Sequence, residues 1–111
     1  MSVNRRRGEI AATLDGRERR LCLTLGALAE LEAAFEAEDL GALVERFSSG
    51  RLSARDLIRI IGAGLRGGGE TVSDEDVGAM RVEDGAAGYA RIASELLAMT
   101  FGAGEGASPN P

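Results

Sequence analysis

At Thr24 the spacing of apolar residues changes from every second position to every third or fourth, and this change limits what the chain can fold into. Before it, Ile10, Ala12 and Leu14 alternate with other residues, Asp15-Gly16 intervenes, and Leu21 and Leu23 resume the alternation. Asp-Gly favours a two-residue type I′ turn, whose central positions both need positive φ, so residues 8–24 read as a β-hairpin. A loop of that length sets Leu14 opposite Arg17, Ala12 opposite Arg19 and Ile10 opposite Leu21. A lone two-stranded ribbon is marginal in water, so helices must cover its apolar face or another chain must extend it.

After Thr24 the helical period takes over. Leu28, Leu31 and Phe35 share one face of a first helix near 25–37. Asp39 caps a second, with Leu40, Leu43, Val44 and Phe47 at i, i+3, i+4 and i+7, stopping at Ser48-Ser49-Gly50. Ser53-Ala54-Arg55-Asp56 forms a capping box for a third, carrying Leu57, Ile58, Ile61 and Leu65 and ended by Gly67-Gly68-Gly69. Ser73-Asp74-Glu75-Asp76 opens a short fourth helix through Val77 and Met80, its three carboxylates suited to the positive end of the helix dipole. Tyr89, Ile92, Ala93, Leu96, Leu97 and Phe101 mark a fifth near 85–101, and residues 102–111 read as a disordered Gly, Ser and Pro tail. The expected architecture is an α+β fold, mainly α, in one small domain over 1–101. Its predicted core is Leu28, Leu31, Phe35, Leu43, Phe47, Ile58, Ile61, Ile92, Leu96 and Phe101.

Composition removes several functional classes. Among 111 residues there is no His and no Trp, Cys22 is the one cysteine, and all thirteen basic residues are Arg. Imidazole catalysis, lysine Schiff bases, the P-loop lysine and Cys/His metal sites therefore have no residues to build them. One cysteine forms no intramolecular disulfide, and Cys22 reads as a small strand residue. Met1 to Arg7 is basic but runs into Gly8-Glu9 rather than an apolar core, and no apolar run spans a membrane, so the expected location is cytoplasmic. Gly62-Ala63-Gly64-Leu65-Arg66-Gly67 matches the letters of a dinucleotide-binding loop, but here the glycines close a helix instead of opening one. They read as helix stops and close packing. Ser73 to Asp76 lacks the spacing of a calcium loop. No cofactor, metal or small-molecule substrate is implied, and the chain is not read as an enzyme.

Charge is unevenly spread: residues 1–20 hold six Arg against three acids, net +3, and residues 21–111 hold seven against fifteen, net −8. Arg51, Arg55 and Arg59 repeat at i, i+4 and i+8, with Arg46 and Arg66 nearby, so residues 46–69 hold five Arg against the single acid Asp56. An arginine row on a helix after a helix and turn is one way a helix-turn-helix meets DNA. The sequence pI near 4.8 opposes that reading, since phosphate binding draws on a positive field. A contact with an acidic protein partner and simple solvation are the other readings of Arg51, Arg55, Arg59 and Arg66.

As an ordered set, the residues resemble a known family. Asn4-Arg5-Arg6-Arg7-Gly8-Glu9, Leu14-Asp15-Gly16, Leu23 to Glu32, Leu52 to Leu57 and Gly62 to Gly69 are similar to the small tail assembly chaperones of gene transfer agents and related phages. The resemblance covers about residues 4–101. It implies a non-enzymatic protein, encoded between tail tube and tape measure genes, that binds the tape measure protein and the major tail tube protein during assembly. It supplies no catalytic residues. A permanent structural tail component and a small DNA-binding regulator are the alternatives, and a homo-oligomer is compatible with the chaperone reading.

Overall fold

The computed structural model describes residues 8–102, so the basic stretch Met1 to Arg7 and all but the first residue of the tail expected over 102–111 lie outside the described residues. Strands β1 (Glu9–Leu14) and β2 (Arg17–Cys22) pair antiparallel in the predicted register, from Leu14 opposite Arg17 to Glu9 opposite Cys22. Asp15 and Gly16 carry φ of 59° and 79°, as a type I′ turn requires. The turn is clasped from outside: the Asp15 N–H donates to the Arg81 carbonyl at 2.7 Å, and the Arg81 N–H approaches the Asp15 carboxylate at 3.4 Å.

Five helices follow: α1 (Leu25–Phe35), α2 (Leu40–Ser48), α3 (Ala54–Gly67), α4 (Asp74–Gly78) and α5 (Gly85–Phe101). The sequence's α+β, mainly helical reading is thereby met. The Thr24 hydroxyl accepts from the Ala27 N–H and the Asp39 carboxylate from the Ala42 N–H, each satisfying a donor that a first helical turn leaves unpaired. Both capping boxes, Ser53/Asp56 and Ser73/Asp76, are reciprocal. With only five residues, α4 depends on its surroundings: Val77 is fully buried, and the Tyr89 hydroxyl lies 2.7 Å from both the Val77 and Met80 carbonyls at its end. Burial, and then the nearby negative charge of Asp15, raise the Tyr89 pKa.

Helix α3 is the centre of the molecule, packed on β2, α1, α4 and α5, while α5 also lies against β1. Ile10, Leu14 and Leu21 of the hairpin meet Leu31, Leu43, Ile60, Ile61, Leu65, Val77 and Leu96 in the fully buried core. The hairpin's apolar face is thus covered by helices of its own chain. Arg19 shares that face and is buried too, its Nε donating to the Leu14 carbonyl at 3.0 Å and its Nη1 to Glu70 at 2.6 Å. Three predicted core residues, Phe35, Ile58 and Phe101, are only half-buried. Leu57 and Ile58 lie more than a quarter of a turn apart, and the helix turns Leu57, Ile60, Ile61 and Leu65 to the core and Ile58 to its border. Phe35 and Phe101 sit in the last turns of α1 and α5.

The glycines of α3 resolve the ambiguous motif. A Cβ on Gly64 would stand 2.6 Å from the Leu96 Cδ2, and Cβ atoms on Gly67 and Gly68 would overlap the carbonyl oxygens of Cys22 and Arg20. They are the means by which a helix end lies directly on the edge of β2, not a phosphate cradle.

Candidate partner-binding surface

The arginines singled out by the sequence fall into two groups. Arg59, on α3, donates from Nη1 to the Ala34 carbonyl at 3.1 Å, near the end of α1 where unpaired carbonyls favour a cation. Its guanidinium lies 5.8 Å from the Phe35 ring centroid, and that of Arg46 lies 5.4 Å from the same ring. Phe35 in turn meets Phe47 edge-on at 5.3 Å. Arg66 bridges Glu30 and Asp74, each at 3.1 Å, and donates to the Val72 carbonyl at 3.0 Å. Burial works to lower the Arg66 pKa, but the acidic partners outweigh it and raise it. Both residues therefore hold α3 to its neighbours.

Arg51 and Arg55 differ. Both are exposed, and among the described residues neither guanidinium has a hydrogen-bond or ion-pair partner. Arg51 precedes α3 rather than lying on it, so the expected row of three is not one helical face. The loop that presents it is fixed by Arg46, which donates to the Arg51 carbonyl at 3.2 Å and to the Asp56 carboxylate at 2.8 Å. Burial would raise the Asp56 pKa, but the Ser53 N–H and the Arg46 guanidinium outweigh it and hold the carboxyl below its usual value.

Two apolar grooves are lined by chain neighbours of these cations, Ala54 beside Arg55 in the first and Gly50 and Leu52 on either side of Arg51 in the second. The first, about 520 Å³, lies between the start of α3, the segment after α4 and the start of α5, with Leu57, Ile58, Met80, Val82 and Tyr89 in its walls and Arg81 at its rim. The second, about 560 Å³, separates α2 from α5 and is lined by Val44, Phe47, Leu52, Leu57, Leu97 and Phe101. Leu57 is common to both. The sequence missed the grooves, although the adjacency of Leu57 and Ile58 was a sign that one of them would be left off the core.

Chemically the surface offers apolar walls and two unneutralised guanidinium groups, a combination suited to recognition rather than bond-making. No cluster of three or more His, Cys, Asp or Glu among the described residues could hold a metal. No described helix is long and apolar enough to cross a membrane. As a DNA reader α3 is poorly placed, because Leu57 and every residue from Ile60 to Leu65 are buried within the fold.

The family model described as phage tail tube protein, GTA-gp10, matches residues 7–103. The chain belongs to this family. The GTA-gp10 match spans the hairpin and all five helices, and membership of a phage-tail family implies interaction with other tail proteins. No curated protein and no solved structure matches the chain.

Proposed function

We propose that this protein is a tail assembly chaperone, a non-catalytic cytoplasmic protein that holds the tape measure protein and the major tail tube protein during tail morphogenesis and then leaves. The observation that carries the proposal is the pairing of two apolar grooves with the free cations Arg51 and Arg55 at the start of α3. An amphipathic helix with acidic residues beside its apolar stripe would satisfy both features. A tape measure chain is long and helical, and its apolar stripe needs shielding until it is enclosed. Arg59 and Arg66, held by their own fold, serve the contact only by positioning α3. Two modest grooves, with Leu25 and Leu40 as the exposed large hydrophobic residues elsewhere among those described, suit a reversible encounter better than a permanent wall.

The family's description as a tail tube protein favours a second reading, a permanent structural component. Co-expression of the tagged chain with the neighbouring tape measure and tube proteins separates the two. A chaperone retains one or both in a pull-down, keeps the tape measure soluble, and is missing from purified particles. Recovery of the chain in particles at fixed stoichiometry establishes the structural reading. If neither partner is retained and neither changes solubility, both the contact and the chaperone role are wrong.

A further inference from the structure

The two grooves are walled differently. In the first, the segment between α4 and α5 is tied down along its length: the Tyr89 hydroxyl lies 2.7 Å from the Met80 carbonyl, the Arg81 carbonyl accepts from the Asp15 N–H at 2.7 Å, and the Asp84 carboxylate pairs with Arg91 at 3.1 Å. In the second, one wall is α2, which packs on α1 and is separated from α5 by the groove itself. Of its nine residues, Leu43 and Phe47 are the buried ones. Among the described residues, the side chains of α2 make two hydrogen bonds to the rest of the chain, both from Arg46, to the Arg51 carbonyl and the Asp56 carboxylate. Both ends of α2 leave through backbone in the left-handed region. Glu36, which closes α1, has a φ of 56°, costly for a residue with a side chain, and Gly50, just past α2, has a φ of 75° with open space where a Cβ would stand. Element-terminal positions of this kind are where hinges absorb a change of direction.

We infer that α2 is a lid, hinged at Glu36 and Gly50 and latched by Arg46, and that the second groove, about 560 Å³ when closed, widens to seat a helix as α2 swings away from α5. The occupant is the acidic amphipathic helix proposed above, so the seat rests on that reading, whereas the opening belongs to the free chain. The apolar stripe of that helix would lie between Phe47 on the lid and Leu97 and Phe101 on α5. The α5 wall also carries Ala90, Ser94 and Ala98 at i, i+4 and i+8, one row of small side chains that lets a second helix come close. The acids of the occupant fit Arg51, which is exposed on the loop between Gly50 and Leu52, both lining this groove. Opening uncovers Leu43 and Phe47 for the occupant to cover, so binding and opening favour each other.

Native-state hydrogen exchange of the full chain tests the lid, because a nine-residue helix released from its neighbours does not persist and its amides exchange. The amides of Leu43 to Ser48 should exchange together, about tenfold or more faster than those of Ile60 to Leu65 in α3. Leu96→Val, in the core against Gly64, should speed the α3 group and leave the α2 group unchanged, since that contact survives opening. Arg46→Met should speed both groups by about tenfold, since the latch is lost in the opened and the unfolded chain alike. By populating the open form, it should also raise capture of the co-expressed tape measure or tube protein. Gly50→Ala strains the joint while its Cβ meets nothing, so it should act in the same direction without disturbing the bond from Arg46 to the loop that carries Arg51. Exchange of α2 in step with α3, or an α2 group sped by Leu96→Val, overturns the lid. Capture unchanged or weakened in both Arg46→Met and Gly50→Ala overturns its role as a gate. If wild type and variants capture nothing while α2 still opens alone, the chaperone reading falls and the lid stands.

Discussion

At the C-terminal end of α3, Gly62, Gly64, Gly67 and Gly68 bring helix, strand and neighbouring side chains closer than any Cβ would permit, and the surrounding residues are buried. At its N-terminal end the same helix presents Ala54 and Arg55 to solvent and Ile58 to a groove. One end holds the fold together, and the other is the end proposed for a partner. The difference shows how a chain of this size separates the two tasks: stability is concentrated where backbone meets backbone, leaving the opposite end of one rigid helix free to carry apolar surface and charge.

Substitutions at the two ends should therefore behave differently. The largest effect is expected for Leu96→Ala, which empties the site facing Gly64 and should cost about 2–5 kcal/mol in denaturant unfolding. Gly67→Ala should cost about 3 kcal/mol, near the upper end for overpacking, because the new Cβ meets a backbone carbonyl that cannot rotate away. A neutral result for either would remove the closed end from the comparison.

An intermediate effect belongs to Asp56, which links the open end to the fold. Asp56→Asn should destabilise by about 1–2 kcal/mol at neutral pH, through the loss of the charged cap and the Arg46 contact. Since folding lowers the Asp56 pKa, its contribution is present above the unfolded carboxyl value and is lost as pH falls through the folded one. Thermal unfolding of the variant should accordingly depend less on pH on the acid side than that of the wild type. The smallest stability change, within about 0.5 kcal/mol, is expected for Arg55→Glu, because that side chain is exposed and makes no hydrogen bond or ion pair among the described residues. That variant should nevertheless lose partner capture in the pull-down. A large destabilisation, or undiminished capture, would show that Arg55 has been placed in the wrong group.

The elements were legible in the sequence because their signals are local. Asp15-Gly16 specified the turn and its register, and Ser53/Asp56 and Ser73/Asp76 specified two helix starts through hydrogen bonds spanning three residues. The surface was legible only in part, since its character depends on distant neighbours. Spacing alone made Arg55 and Arg59 equivalent, and what separates them is the position of Ala34 and Phe35 at the end of α1. Arg66 likewise gains its partners from Glu30 and Asp74, on two different helices. The grooves arise where α2 and α5 diverge and where the segment after α4 passes α3, and no short window of sequence encodes either gap.

The clasp between Asp15 and Arg81 turns one amide into a reporter. Turn amides ordinarily exchange their hydrogen with solvent quickly, whereas the Asp15 N–H is held at 2.7 Å by a carbonyl sixty-six residues further along the chain. Its exchange rate is governed by how firmly the segment containing Met80, Arg81 and Val82 is docked, and that segment forms a wall of the first groove. A helix wedged into the groove would therefore be felt at the tip of the hairpin, where a single exchange measurement would report its binding.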